Sequence, residues 1–336
     1  MRILIVGATG GSHIGSSFHR AAEKLGHESE FLDIAEAWHH GTISQKVFWH
    51  FLGRRPLRLH SFGERVVQTC TRFRPDVLIS TGMAPLTAGV LRSCRDMGVR
   101  CLNFSTDDPF SKSGRATWFL TGLVNYDLIF TPRHANIGDL KNHGCARIEY
   151  LPFGYDSDLF FPPNDPVAGE MASDLFFAGA ADQGRVPFIA AALESGLKVR
   201  LHGRYWDRYP RTRGVSLGQA DIPTIRRAVS ACRVALCGVR HENRDGNSMR
   251  TFEIPAVGAC MVVEDTMEHR EIFGSDGMRV LYFKTPSQMV EQTKWLLERP
   301  HERTRLKQDV HQHITAGRNT YADRLTAMLN YFKDLI

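Results

Sequence analysis

The sequence predicts an α/β fold made of two domains. Apolar strand-like runs alternate with amphipathic helix-like segments from residue 2 to residue 130, and this alternation restarts at residue 174. A Pro-rich stretch at 150–166 separates the two series, as is typical of an inter-domain linker. Because β-α alternation produces parallel sheets with helices on both faces, we expect two Rossmann-like domains facing each other across a cleft.

The elements follow in order from the apolar pattern. Short apolar runs predict strands in the N-terminal half at 2–6, 29–33, 76–80, 99–104 and 128–130. Amphipathic stretches predict helices there at 16–25, 61–73 and 86–97. In the C-terminal half, the same patterns predict strands at 174–178, 199–202, 233–236 and 259–263, and helices at 187–195, 223–231 and from 286 onward. The predicted domains are 1–160 and 167–318, and we expect a C-terminal helix at 319–336 to pack back on the N-terminal domain.

Composition is typical of a soluble globular protein. The chain has 336 residues, of which 43% are hydrophobic and 23% are charged, and this length is sufficient for two domains. No apolar stretch is long enough to span a bilayer, and residues 1–7 predict a first strand rather than a signal peptide. The seven cysteines form no CxxC pair and no zinc-binding cluster, so we expect reduced thiols in the cytoplasm and no metal site.

The chain is basic, with a formal net charge of +6 and a pI near 9.0. This charge favours an anionic partner such as a nucleotide diphosphate, an anionic lipid or nucleic acid, although a basic protein without such a partner fits equally well. Residues 45–60 combine aromatic and basic side chains. They predict either peripheral contact with the inner membrane surface or an anionic acceptor, or an amphipathic helix with Arg54, Arg55 and Arg58 in water.

The segment 243–265 carries the strongest functional signal. A polar loop ends at Asn247 or Ser248, either of which can cap the helix that follows, and Gly258 is placed to end that helix. A helix N-terminus presents free N–H groups and the positive end of the helix dipole, so it can bind an anion. Arg250 in the first turn and Glu253 one turn later fit phosphate and sugar hydroxyls, respectively. The segment therefore predicts a nucleotide-sugar site.

Several motifs resemble those of GT-B glycosyltransferases, and most closely the branch related to the spore-maturation protein CgeB. The most specific is Met249-Arg250-Thr251-Phe252-Glu253-Ile254-Pro255-Ala256. The hinge Leu151-Pro152-Phe153-Gly154-Tyr155-Asp156, followed by Leu159-Phe160, agrees with it. Three further motifs fit the same family. They are Asp107-Asp108-Pro109, Phe176-Phe177-Ala178-Gly179 with Arg185, and Asn319-Thr320-Tyr321-Ala322-Asp323-Arg324-Leu325. The resemblance covers nearly the whole chain and is firmest from 150 to 325.

The resemblance implies transfer of a sugar from a nucleoside-diphosphate sugar, for example a UDP-sugar, to a hydroxyl acceptor. The acceptor would be a glycan, a lipid-linked sugar or a small molecule, in glycan, cell-surface polysaccharide or natural-product biosynthesis. Such enzymes need no cofactor and no bound metal, because cationic side chains and helix dipoles neutralise the diphosphate. Nucleic acid is not an expected partner.

The resemblance also assigns roles in the C-terminal half. Glu253 would bind the ribose hydroxyls, while the phosphates would bind Arg185, Arg250 and the helix end at Asn247, Ser248 and Met249. In related retaining enzymes, a second glutamate lies on the sugar side, eight positions earlier in the chain. That position is Asp245 here, so the stereochemical outcome stays open.

The loop from Gly7 to Gly15 follows a strand and precedes a helix, and Gly10 and Gly11 would let its backbone approach the donor phosphate. The same pattern fits a dinucleotide site, which makes an NAD(P)-dependent sugar-nucleotide reductase or epimerase the alternative enzyme. No Tyr in the chain is followed four residues later by Lys, the catalytic pair of short-chain dehydrogenases. A further alternative is a non-catalytic protein that binds nucleotide sugars or nucleic acid.

Three residues are candidate general bases for the acceptor hydroxyl. His13 lies in the Gly-rich loop, and the ordinary pKa range of histidine suits proton transfer. Asp107 and Asp108 follow a predicted strand, at the end where functional residues gather in parallel sheets. An alternative is that Asp-Asp-Pro only makes a turn and caps a helix, and that His13 is an ordinary surface residue.

Overall fold

The computed structural model describes residues 1–38, 53–112, 115–164 and 169–333. The chain forms two compact units. Unit 1 comprises Met1–Pro152, Glu242–Arg244 and Tyr321–Ile336, and unit 2 comprises Phe153–His241 and Asp245–Thr320. The first long segment of unit 1 therefore ends at Pro152, inside the Pro-rich stretch that the sequence predicted as a linker.

Within its described residues, unit 1 contains a six-stranded parallel sheet. Its strands in chain order are β1 (Arg2–Gly7), β2 (Glu28–Asp33), β3 (Val77–Thr81), β4 (Arg100–Phe104), β5 (Leu128–Thr131) and β6 (Ile148–Tyr150). They lie side by side in the order β2-β1-β3-β4-β5-β6. The helices between them are α1 (Ile14–Lys24), α2 (Leu59–Phe73), α3 (Ala88–Asp96), α4 (Thr117–Leu123) and α5 (His134–Asn142).

The strand β1 lies inside this sheet because its apolar run must be covered on both faces. Residues 3–6 are fully buried, and Ile3 aligns with Ser29 of β2 on one side and with Val77 of β3 on the other. Such a continuous apolar run is typical of a parallel strand between two helical layers. The predicted first strand is thus confirmed as a central element of unit 1.

Unit 2 contains a second parallel sheet, with five strands among its described residues. They are β7 (Ser173–Ala178), β8 (Val199–His202), β9 (Cys232–Cys237), β10 (Met261–Glu264) and β11 (Leu281–Phe283), in the order β11-β10-β9-β7-β8. The helices are α6 (Val186–Glu194), α7 (Ile222–Ala231), α8 (Met249–Val257), α9 (Met267–Phe273), α10 (Pro286–Glu298) and α11 (Pro300–Ala316). As the sequence predicted, Ser248 precedes α8, and Gly258 ends it in the left-handed conformation, with φ of 85°.

The C-terminal helix α12 (Tyr321–Lys333) belongs to unit 1. The ring of Tyr321 meets the ring of Phe18 on α1 edge-on, with their centroids 5.5 Å apart. Arg324 donates a hydrogen bond from Nε to the carbonyl oxygen of Pro152 at 2.9 Å. These contacts fix the helix against the first strand–helix layer of unit 1.

The strands β6 and β11, the nine-residue helix α5 and the helices α4 and α9 were not predicted. The strands β6 and β11 have three residues each, and the helices α4 and α9 have seven residues each. Three residues cannot show an alternating pattern, and seven residues make only about two helical turns. These elements are therefore set by their packing in the two sheets rather than by a recognisable local period.

Each sheet has one point where the strand order reverses. In unit 1, β2 lies on one side of β1 and β3 lies on the other side, so the chain changes direction across the sheet at β1. In unit 2, it runs from β7 to β8 and then back across to β9, and β7 pairs with both. Parallel α/β sheets bind ligands at such reversal points, outside the carboxyl ends of the strands. The loops after β1, β3, β7 and β9 are therefore where ligand sites are expected.

We predict that Gly15→Ala destabilises unit 1 by about 1–3 kcal/mol through overpacking. A Cβ at Gly15 would lie 2.9 Å from the Cα of Gly7 and 3.1 Å from the carbonyl oxygen of Ala8, so backbone would have to move. Gly138→Ala on α5 is the matched control, because a Cβ there meets no atom within 4 Å. Urea unfolding of both variants measures the difference. Equal stability of the two variants would contradict this account of strand–helix packing.

Candidate functional site

The carboxyl edge of the unit 2 sheet brings most of the predicted donor residues together. The β7 strand leads into the loop 179–185, and the β9 strand leads into the loop 238–248 that precedes α8. These two strands are direct neighbours, with Leu175 aligned to Val234. The two loops therefore begin side by side at the point where the strand order reverses, which is where a ligand site is expected.

The N-terminus of α8 is held by a buried hydrogen-bonded chain. The Ser248 N–H donates to Oγ1 of Thr251 at 3.0 Å, and that hydroxyl lies 3.0 Å from Nε2 of His269. Nδ1 of His269 lies 2.7 Å from the carbonyl oxygen of Glu264, so it carries the proton and donates. Nε2 is then the acceptor of the Thr251 hydroxyl, and the imidazole is neutral. Burial lowers the pKa of His269 to about 4, which agrees with this arrangement.

The loop before α8 is pinned from two further sides. Oγ1 of Thr266 donates to the Gly246 carbonyl oxygen at 2.6 Å, and a Cβ at Gly246 would lie 1.9 Å from the carboxyl carbon of Glu268. The buried Asn247 accepts a hydrogen bond from the Phe153 N–H at 3.3 Å. Position 246 therefore has room only for glycine, and the loop enters α8 along a fixed path.

Arg250 and Glu253 form an ion pair on the first turns of α8. Nη1 of Arg250 donates to Oε2 of Glu253, while its Nε donates to the Ala178 carbonyl oxygen at 3.4 Å. Glu253 is 2% exposed. Burial raises the pKa of Glu253, the charge and hydrogen bond of Arg250 oppose that rise, and the charge of Asp156 adds to it. The pair thus joins the start of α8 to the end of β7.

Arg185 occupies the other loop and is mostly buried. Its guanidinium donates to the carbonyl oxygens of Val239 and Ala180 at 3.4 and 3.3 Å, and Nε lies 3.6 Å from Oδ2 of Asp182. Burial lowers the pKa of Arg185, whereas the charges of Asp182 and Asp245 raise it. The side chain remains a cation, because arginine keeps its proton in proteins. It therefore places a positive charge between the loops that follow β7 and β9.

Asp245 lies in the same charged group, and its backbone N–H donates to the Arg240 carbonyl oxygen at 3.2 Å. Arg240 approaches Asp182, with Nε and Oδ2 4.0 Å apart. The predicted residues Arg185 and Asp245 are thus brought together with Arg240, which the sequence reasoning did not single out. Met249, also predicted, is half-buried as the first residue of α8.

A histidine–carboxylate pair beside this group was also missed. Nε2 of His241 bonds to Oε1 of Glu264, and the Val239 N–H donates to Oε2 of the same carboxylate at 2.9 Å. A Cβ at Gly184 would lie 3.2 Å from Nδ1 of His241, so the ring lies over the loop that follows β7. The available signal was Glu264 itself, a carboxylate that closes a buried apolar strand at its functional end.

In unit 1, the Gly-rich loop follows β1 as predicted. Gly10 and Gly11 have φ of 87° and 50°, and no atom lies within 4 Å of a Cβ built at either position. The Gly10 N–H donates to Oγ of Ser16 at 3.0 Å, which closes the loop onto α1. His13 is exposed at the N-cap position of α1, and its side chain makes no capping hydrogen bond.

The two predicted aspartates after β4 have different surroundings. Asp107 is half-buried and accepts a hydrogen bond from Oγ1 of Thr106 at 3.1 Å, whereas Asp108 is fully buried. Burial raises the pKa of Asp108, but hydrogen bonds from Arg244, the Phe110 N–H and Asn136 outweigh burial and hold that pKa below its usual value. A carboxylate with four such donor atoms around it is a poor proton acceptor. Of the two predicted residues, the surroundings of Asp107 therefore suit a proton acceptor better.

The described residues also bear on the predicted metal and membrane contacts. Among the described residues, no group of three or more His, Cys, Asp or Glu side chains could hold a metal ion. Residues 45–52 of the predicted membrane-contact stretch lie outside the described residues. In the described remainder, Nη2 of Arg54 donates to the Lys112 carbonyl oxygen at 3.2 Å, and the carbonyl oxygen of Arg54 accepts from Nε1 of Trp118 at 3.1 Å. No helix in the described ranges has the length and apolar character needed to cross a membrane.

Comparison with known proteins agrees with this architecture. Residues 185–330 match the family model described as glycosyl transferase-like. Sucrose-phosphate synthase from Thermosynechococcus elongatus is similar in structure, with a TM-score of 0.73 and 11% identity over 100% of this chain and 99% of that one. The fold is GT-B.

Two further structures give the same result. HepE from Anabaena, in complex with UDP-glucose, has a TM-score of 0.66 and 11% identity, and each chain is covered completely. The UDP-forming α,α-trehalose-phosphate synthase from Burkholderia xenovorans, in complex with glucose-6-phosphate, has a TM-score of 0.64 and 12% identity over 99% of each chain. Among curated proteins, none matches the chain by sequence. The match over residues 185–330 supports a glycosyltransferase, while the CgeB-like branch and the individual residue roles stay predictions.

We predict that the neutral His269 makes the stability of the protein depend on pH. The pKa of His269 is about 4 in the folded protein and about 6.5 when unperturbed, so between these values only the unfolded chain binds the proton. The stability that this residue contributes is therefore complete well above pH 6.5 and falls as the pH drops, by roughly 2–3 kcal/mol near pH 4.5. Urea titrations at several pH values measure this slope.

His269→Gln should flatten the slope relative to the natural protein, because the titrating ring is gone. His301→Gln on the exposed face of α11 is the matched control and should leave the slope unchanged. An unchanged slope in His269→Gln would show that the buried imidazole is not neutral in the folded protein.

Proposed function

We propose that the protein is a metal-independent glycosyltransferase that moves a sugar from UDP to an acceptor hydroxyl. The supporting observation is the carboxyl edge of the unit 2 sheet. There, a rigidly held helix N-terminus, a buried carboxylate paired with arginine and a second buried arginine share one strand-reversal point. We propose UDP as the nucleotide because two structurally similar proteins involve it. HepE is in complex with UDP-glucose, and the Burkholderia synthase is UDP-forming.

The proposed diphosphate-binding site consists of the start of α8 together with Arg185. The N–H groups of the first turn of a helix have no partner within the helix, and the helix dipole adds about half a positive charge there. Arg185, Arg240 and Arg250 surround the loops that lead to this point. These fixed cations can take over the charge neutralisation for which other transferases use a divalent metal ion.

Glu253 is the proposed ribose ligand. Arg250 binds Oε2, and no other described side chain donates to the carboxylate. Oε1 is then able to accept hydrogen bonds from ribose hydroxyls. Burial makes such bonds stronger than in water, because the competing solvent is excluded. The Arg250 bond also orients the carboxylate before the nucleotide arrives, so binding costs little reorganisation.

The transfer step requires one proton acceptor and one stabilised leaving group. The acceptor oxygen forms a bond to the anomeric carbon, the bond from that carbon to the β-phosphate oxygen breaks, and its electron pair stays on UDP. The arginines and the α8 N-terminus stabilise this developing charge. The acceptor proton passes to a base, for which His13 and Asp107 in unit 1 are the candidates. Asp108 is less suitable because it already accepts a hydrogen bond from Arg244.

We predict that UDP binds the protein and that NADH and NADPH do not. Isothermal titration calorimetry with UDP, GDP, dTDP, NADH and NADPH separates the transferase from a nicotinamide-dependent enzyme. Glu253→Ala and Arg185→Gln should each weaken UDP binding by about ten- to hundredfold, because each removes a charge-assisted hydrogen bond.

Glu298→Ala is the matched control, since that carboxylate is 73% exposed on α10 and should leave the affinity unchanged. Binding of a nicotinamide nucleotide alone would overturn the proposal. Turnover of a UDP-sugar that survives in Glu253→Ala would overturn the role given to Glu253.

A further inference from the structure

A pair of titratable side chains that the proposed transfer step does not use lies at the carboxyl edge of the unit 2 sheet. It consists of His241, in the loop after β9, and Glu264, the last residue of β10. The two strands are direct neighbours, with Val263 aligned to Cys237. Both members of the pair belong to unit 2, as do Arg185 and α8. The pair therefore lies at the same sheet edge as the proposed donor residues.

Glu264 fixes the orientation of the His241 ring. Oε1 of Glu264 bonds to Nε2 of His241, and Oε2 accepts from the Val239 N–H at 2.9 Å. Because an ionised carboxylate can only accept hydrogen bonds, Nε2 carries a proton and is the donor. Nδ1 is then the ring nitrogen that can meet a ligand. The His241 side chain is 56% exposed, so a ligand can reach it.

Nδ1 of His241 faces the loop that carries Arg185. A Cβ built at Gly184, the residue before Arg185, would lie 3.2 Å from Nδ1. One small pocket at this edge is lined in part by Gly184, Arg185, Val239 and Glu264. Nε of Arg185 donates to the carbonyl oxygen of Val239 at 3.4 Å, two positions before His241 in the chain. An anion bound by Arg185 would therefore lie close to the His241 ring.

The charged groups around His241 balance one another in the absence of a ligand. Two are carboxylates, those of Glu264 on β10 and of Asp182 in the loop after β7. Two are guanidinium groups, those of Arg185 in the same loop and of Arg240, whose Nε lies 4.0 Å from Oδ2 of Asp182. A bound diphosphate adds further negative charge to this balanced group. Such charge within hydrogen-bond distance favours the protonated, cationic form of an imidazole.

We propose that His241 binds an oxygen of the nucleotide diphosphate through a protonated Nδ1, and that Glu264 is the positioning residue for its ring. The proton comes from the solvent when the nucleotide binds, and the ring then donates one hydrogen bond to Glu264 and one to the diphosphate. Histidine suits this role because its charge ordinarily changes between about pH 5 and 8. The cation also stabilises the charge that develops on UDP as the bond to the anomeric carbon breaks. This inference rests on the proposed function.

Calorimetry that counts protons tests the proposal. UDP is titrated at pH 7 into the natural protein and into His241→Gln, in PIPES and in ACES, two buffers with different ionisation enthalpies. The difference in observed enthalpy between the buffers gives the number of protons taken up on binding. The natural protein should take up about half a proton more than His241→Gln, because only the natural protein has the ring that becomes charged. The phosphate of UDP titrates in both proteins and cancels in this comparison.

The affinity for UDP should depend on pH in the same sense. From pH 6 to pH 8 it should fall by about fivefold more in the natural protein than in His241→Gln, since the imidazolium forms less readily at high pH. Glu264→Gln should shift this fall to lower pH, because a neutral amide does not stabilise the cation. A merely structural role of Glu264 would instead weaken UDP binding by the same factor at every pH.

His19→Gln is the matched control. His19 also approaches a glutamate, with Nε2 3.8 Å from Oε1 of Glu23, but it lies on α1 in unit 1. Its replacement should change neither the number of protons taken up nor the pH dependence of the affinity.

The role of His241 and the proposed function fail in different ways. Equal proton uptake by the natural protein and by His241→Gln would overturn the role of His241, while the observed binding of UDP would leave the proposed function standing. If the natural protein binds no UDP, both proposals are overturned.

Discussion

The proposed donor site depends on the hydrogen bonds of the Thr251 hydroxyl. It accepts from the Ser248 N–H and donates to the neutral ring of His269, which in turn donates to the carbonyl oxygen of Glu264 at the end of β10. This chain ties the first turn of α8 to the carboxyl edge of the sheet. A helix N-terminus attracts anions wherever it lies. It can stabilise a developing charge only if it does not move during the reaction.

The charged side chains around the proposed donor site balance one another in the absence of a ligand. Arg185 lies near Asp182 and Asp245, and Arg250 bonds to Glu253. Burying the arginines alone would be unfavourable, so each cation has a carboxylate partner that also fixes its direction. At the proposed site, a diphosphate would then meet guanidinium groups that are already oriented by their carboxylate partners. The net positive charge of the chain is therefore a weak guide to its ligand, since the arginines of the proposed site are locally compensated.

Much of the fold could be predicted from the sequence, because long apolar runs such as residues 3–6 and the restart at residue 174 determine parallel strands. The helix between Ser248 and Gly258 could also be predicted, since capping residues and a left-handed glycine act locally. Arg240, the His241–Glu264 pair and the hydrogen-bond partners of Asp108 could not be predicted. Their importance comes from partners that are distant in sequence, such as Arg244, which lies 136 positions after Asp108. Local patterns carry no information about such pairings.

We propose that the start of α8, together with Arg185 and Glu253, forms the donor site. A crystal structure of the protein with UDP tests it most directly. We expect diphosphate oxygens within hydrogen-bond distance of the main-chain N–H groups at the start of α8 and of the Arg185 guanidinium, with ribose hydroxyls bound to Glu253. UDP bound in the Gly10–His13 loop of unit 1, with the start of α8 empty, would contradict it.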